Sequence, residues 1–187
     1  MTDVELLAEW LDDLASYVHR ALDEMSPEQL AWQPDAEANS IGVTVWHMAR
    51  WLDILGVMGI DGKDADQEQW FTRGWAEKTR YDPRGIGTSG LGAVTGYLQA
   101  EVRAIPAQSP GDLLAYYDQV SQALQPKLLQ LTSQDFARPM KSLGADKPLS
   151  LYEWTKGIVQ GCFGHIGEIF AIRAMYKRAH RAETVNA

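Results

Sequence analysis

Residues 150–180, SLYEWTKGIVQGCFGHIGEIFAIRAMYKRAH, decide the fold class. Leu151, Trp154, Ile158, Cys162, His165, Ile169, Ile172 and Tyr176 follow one another at spacings of 3, 4, 4, 3, 4, 3 and 4. That is the period of an α-helix with one apolar face. Ser150 stands where an N-cap belongs, so the pattern predicts a helix from Leu151 to about His180. A helix this long cannot hide such a stripe alone, and the rest of the chain supplies its partners.

Upstream, Ser109-Pro110 gives a cap followed by proline at the first helical position. Leu113, Tyr117, Val120, Leu124, Leu128 and Leu131 then recur at helical spacing, with Pro126 expected to kink the run. Ser40 opens another helix, Ile41 to about Gly59, with two adjacent apolar stripes: Ile41, Val45, Met48, Leu52, Leu55 and His47, Trp51, Ile54, Met58. Only Arg50 and Asp53 mark a wet side there, which predicts a largely buried central element. Thr2 caps a first helix to about Met25, striped by Leu7, Leu11, Leu14, Val18, Leu22 and Met25. Ser26-Pro27-Glu28-Gln29 starts a short turn of helix that Pro34 stops.

Residues 61–109 are irregular, with short helices expected near Gln67–Trp70 and near Tyr97–Arg103, the latter capped by Thr95. Trp70, Phe71 and Trp75 there suggest a lid over the bundle or a dimer surface. Residues 132–148 read as a polar connection. No alternating strand pattern occurs. The expectation is an all-α, four-helix bundle with a long irregular connection and short extra helices between helices 2 and 3. It forms a single domain over 1–187, with 181–187 a frayed tail.

The composition removes several function classes. The 187 residues hold 25 acidic and 17 basic side chains, a net charge of -8, which repels a phosphate backbone and argues against nucleic acid. The longest charge-free run, Gly85 to Ala100, is broken by five glycines and falls short of the about 20 apolar residues a membrane span needs. The start MTDVELLAEW is acidic, unlike a signal peptide. One cysteine, Cys162, allows no internal disulfide and fits a reducing compartment. A cytoplasmic domain without membrane or nucleic-acid partners is expected.

Two of the four histidines stand on inward faces, His47 on the second long helix and His165 on the last. A buried imidazole must be hydrogen-bonded, metal-bound or neutral, and bundles build metal sites from facing helices. His19 and His180 read as surface or structural residues. Cys162, three residues before His165, reads as a small core residue, a thiolate ligand or a nucleophile. Glu168, three residues after it, reads as a solvated carboxylate, a ligand, a general base or an acceptor behind His165. Gly157, Gly161, Gly164 and Gly167 each cost roughly 1 kcal/mol in a helix. Close approach of a neighbouring helix is the favoured reason, room for a ligand the other. There is no phosphate-binding loop, nucleophile elbow or HExxH helix.

MSPEQLAWQPDAEANSIGVTVWHMARW at 25–51, QEQWFTRGWAEKTR at 67–80 and HIGEI at 165–169 together resemble the DinB-like (DinB/YfiT) superfamily in order and spacing. The resemblance implies a four-helix bundle, often a homodimer, holding a divalent metal, zinc or nickel, on three histidines. It implies a thiol S-transferase or hydrolase, with metal-activated water or thiol and a small-molecule substrate such as a low-molecular-weight thiol. His47 matches the ligand from the second helix and His165 the second histidine of an HxxxH pair. The first of that pair falls on Gly161. Cys162 is then the candidate third ligand and Glu168 the alternative. Two readings stand: a metal-dependent enzyme, or a metal-free bundle that binds a small ligand or a protein partner.

Overall fold

The computed structural model describes residues 2–140 and 148–181. Its helices are α1 (Asp3–Leu22), α2 (Pro27–Ala31), α3 (Ile41–Ile54), α4 (Gln69–Thr72), α5 (Trp75–Thr79), α6 (Gln99–Arg103), α7 (Pro110–Leu129), α8 (Ser133–Phe136) and α9 (Leu151–Ala179). The four long ones start where capping residues stand. Thr2 and Ser150 form capping boxes with Glu5 and Glu153, while the Ser40 and Ser109 hydroxyls accept from the amides of Val43 and Asp112. Each such cap satisfies amides that the helix cannot, worth about 1 kcal/mol. Pro126 lies inside the last turns of α7 without ending it.

Helix α1 packs on α7 and α9, and so does α3, which makes a four-cornered bundle. Asp12 meets Gln125 and His19 meets Asp118, so α1 and α7 run antiparallel. Gly42 lies beside Leu113 and Gly56 beside Leu124, so α3 and α7 run parallel. His47 meets His165 and Gly59 meets Trp154, so α3 and α9 run antiparallel. The sense is therefore up, down, down, up along the chain. Between the helices Leu14, Val18, Val45, Leu52, Leu128 and Ile169 are fully buried, each from a stripe legible in the sequence, and each worth roughly 1.5–3 kcal/mol on burial.

The second long helix does reach the end expected of it, but by a wider coil. From Leu55 to Ile60 the backbone is π-helical. Side-chain cations reach its carbonyls: Lys127 donates to Gly56 O (3.2 Å), and Arg138 to Gly59 O (2.7 Å) and Ile60 O (3.1 Å). Positive charge at a helix C-terminus is favourable for the dipole as well.

Arg50 and Asp53 overturn the expectation of a wet side on this helix. They are 0% and 2% exposed. Arg50 pairs with Glu68 at 2.7 Å, and Asp53 accepts from the amides of Gln69 and Trp70 and from the Tyr116 hydroxyl. The irregular segment covers that face, and Trp70 and Trp75 pack on Trp46 and Tyr116 within the chain. The segment thus packs over the bundle, as expected, and these two buried tryptophans face the core and offer no dimer surface. Two helices, α4 and α5, stand where one was expected, and Leu98, rather than Thr95, precedes α6. Thr95 instead accepts the Trp51 indole N–H. The expected frayed tail falls, beyond Arg181, outside the described residues, as do residues 141–147 of the final connection, whose described part carries α8.

Candidate functional site: a two-histidine pocket

His47 and His165 come together from antiparallel α3 and α9, their ring centroids 4.7 Å apart and their planes nearly perpendicular at 87°. His47 Nδ1 lies 2.5 Å from the Ala93 carbonyl. A carbonyl only accepts, so Nδ1 carries the proton. Burial pushes this imidazole down to about 4, which keeps it neutral at physiological pH and leaves Nε2 with a free lone pair. The carbonyl is itself fixed: Arg50 donates to the two before it, from Nη2 to Leu91 O (3.4 Å) and from Nε to Gly92 O (3.2 Å). Thus three consecutive carbonyls of one loop hang from two side chains of α3.

His165 is tied in the same way. Its Nδ1 meets Glu168 Oε2 at 2.8 Å, the i, i+3 geometry of one helix face. Glu168 therefore stands behind His165 as the acceptor that orients it. Both rings spend Nδ1 on the scaffold and keep Nε2 for something else.

The two rings border a cavity of about 260 Å³. Trp51, Trp154, Leu149 and Ile158 give it apolar walls, and Glu153 adds a carboxylate. Trp51 meets Trp154 edge to face at 6.2 Å and donates its N–H to Thr95 Oγ1. Trp154 rests on the π-helical turn: a Cβ on Gly59 would lie 2.7 Å from its Cζ3, so only glycine lets the indole sit there. The indole walls belong to the pocket, with Gly59 beneath Trp154, although sequence reasoning gave them no role beyond packing. Their one signal was Trp51 and Trp154 sharing stripes with the two histidines.

The four glycines of α9 correct an expectation. An added Cβ at Gly157, Gly161, Gly164 or Gly167 meets nothing within 4 Å, so no neighbouring helix requires them. Gly157 and Gly161 open directly onto the cavity. There the glycines keep a volume clear that larger side chains would enter.

Cys162 borders the same cavity from the core side, 3% exposed, and burial pushes its thiol up to about 12. A thiol in that state is a poor nucleophile and a poor ligand. Iodoacetamide at pH 7.5 is expected to label Cys162 at least tenfold more slowly in native protein than in denaturant, read by intact-mass spectrometry; equal rates would restore a reactive cysteine. His19 pairs with Asp118 on the surface and His180 stacks on Tyr176, both away from this pocket.

Among the described residues no group of three or more His, Cys, Asp or Glu side chains is placed to hold a metal ion. The structure brings His47 and His165 together; Cys162 and Glu168 do not join them as ligands in such a group. A protein-held catalytic zinc uses three protein ligands, and the donor set here is two imidazoles. It does not fit a resident centre of that kind.

The bundle agrees with what the sequence is related to. The model of the DinB superfamily matches residues 10–169, and the chain belongs to that superfamily. A crystal structure of a conserved protein from Enterococcus faecalis has a similar fold: TM-score 0.75 at 18% identity, over 94% of this chain and 97% of that one. No curated protein matches the chain. No helix among the described residues is long and apolar enough to cross a membrane.

Proposed function

We propose that the protein is a small-molecule-binding member of the DinB superfamily, in which the paired histidines take the polar end of a ligand and the tryptophan walls take its apolar body. The observation that carries this is the pair itself. Both imidazoles are oriented through Nδ1 and have Nε2 unspent beside an open, largely apolar cavity, without a third ligand among the described residues. Pockets of about this size, with apolar walls and a few convergent polar groups, are the usual form of a ligand site. The reading assumes a cytoplasmic homodimer.

A second reading is favoured by the same Nδ1 bonds. Histidines that bind metal usually donate their other N–H to a carbonyl or carboxylate, as both do here. A zinc- or nickel-dependent thiol S-transferase or hydrolase would use His47 and His165, and would need a further donor. Elemental mass spectrometry of untagged protein, incubated with zinc and with nickel and then desalted, separates the two. The expected result is well under one metal per chain. A near-stoichiometric signal that disappears in His47→Ala would overturn the metal-free reading in favour of the enzyme.

A further inference from the structure

We infer that the ligand of this pocket is an organic cation, a primary ammonium group on a short aromatic or aliphatic body. The inference rests on the binding-pocket reading above and follows from what the walls can offer. Among the described residues that line the cavity, the imidazoles and the one carboxylate all accept. The histidines offer Nε2, because each Nδ1–H is already given away. Glu153 offers a carboxylate, held below the usual range by the Ser150 amide and hydroxyl and so ionised at neutral pH. The Trp51 N–H is spent on Thr95, which leaves that indole its electron-rich faces. Among the described residues no lysine or arginine lines the cavity.

An anion entering here would meet Glu153, with Glu168 behind His165, and no lysine or arginine among the described lining residues to offset either. Its burial would be unfavourable without a partner. A hydroxyl brings one donor to several acceptors. An ammonium brings three N–H donors and a positive charge, which a tryptophan face attracts when it lies within about 6 Å. The whole-chain charge of -8 acts in the same direction over longer range. A bare divalent ion would satisfy the charge but not the ligand count, and it would leave the apolar walls without a function.

Benzylamine, benzyl alcohol and benzoate are near in shape and differ in charge and donors, so they test the inference directly. Titrated into native protein at pH 7.5 by calorimetry, benzylamine is expected to bind at least tenfold more tightly than benzyl alcohol, and benzoate not measurably. Glu153→Gln keeps the capping box, since glutamine serves at that position. It is expected to bring benzylamine close to benzyl alcohol and leave the alcohol unchanged. Gly161→Leu, which fills the cavity from an open helical position, is expected to abolish binding of both. Benzoate equal to or tighter than benzylamine, an amine with no advantage over the alcohol, or indifference to Glu153→Gln would overturn the cation inference while leaving the pocket reading in place. If none of the three binds, or if Gly161→Leu changes nothing, the pocket reading itself fails and takes the inference with it.

Discussion

Gly161→His is expected to turn the pocket into a zinc site. Gly161 lies one helical turn before His165, borders the same cavity and has open space where a Cβ would go. An imidazole placed there shares a helix face with His165 and lies opposite His47, whose ring is neutral at pH 7 and already oriented. Three imidazoles and one open position form a recognised catalytic zinc set. Replacing glycine in a helix is also mildly favourable, by a few tenths of a kcal/mol. Bound zinc is expected to rise from well under one to close to one per chain by elemental analysis. At zinc about a hundredfold above its Kd, linkage adds about 2.7 kcal/mol, or roughly 5–11 °C in Tm for a chain of this size. The wild type should shift by less than about 2 °C on the same scale. A variant that stays empty and unshifted would mean that the two Nε2 atoms and this position do not converge, and the histidine pair would cease to be one site.

The comparison of sequence with structure follows the range of each signal. Stripes such as Leu7-Leu11-Leu14-Val18 are local and periodic, so the four long helices and their caps are legible in the chain. His47 and His165 are legible for the same reason, since each sits in a stripe that must face inward. Arg50 and Asp53 mislead because charge normally marks solvent. Their partner Glu68 lies in an irregular segment with no period to place it, and a buried ion pair is visible only once that segment is folded. Ala93 carries no signal at all: its carbonyl orients His47, and any residue has a carbonyl. The α9 glycines give a genuine signal with two meanings, close packing or cleared space. Only the absence of neighbours around their Cβ positions decides it.

Arg50→Met is expected to be the most damaging single change in the core. The guanidinium is fully buried, 2.7 Å from Glu68 and 3.7 Å from Asp53, and it also holds the carbonyls of Leu91 and Gly92. Methionine keeps the volume but strands two carboxylates in the interior, a loss of about 3–5 kcal/mol, or roughly 6–20 °C in Tm. The pH dependence identifies the cause. Burial pushes Glu68 up to about 7 from an ordinary 4.5, against the pull of Arg50. The native state thus holds that proton more tightly than the unfolded chain, and Glu68 removes stability as pH rises from about 4.5 to about 7. His47 acts oppositely: depressed to about 4 from 6.5, its contribution is present above 6.5 and is lost as pH falls toward 4. In the wild type the His47 slope opposes that of Glu68 between about 4.5 and 6.5, with buried Asp53, also pushed up, acting in the direction of Glu68, so the change of Tm with pH should be small there. Glu68→Gln should expose the His47 slope, with Tm rising with pH. Arg50→Met should show the reverse, recovering as the pH is lowered and the stranded carboxylates take up protons. A melting series from pH 4.5 to 8 on the three proteins checks this, and an Arg50→Met deficit that does not change with pH would remove the stranded charges as its cause. Because Arg50 holds the two carbonyls beside that of Ala93, the same substitution is also expected to loosen His47, linking the stability of the core to the geometry of the pocket.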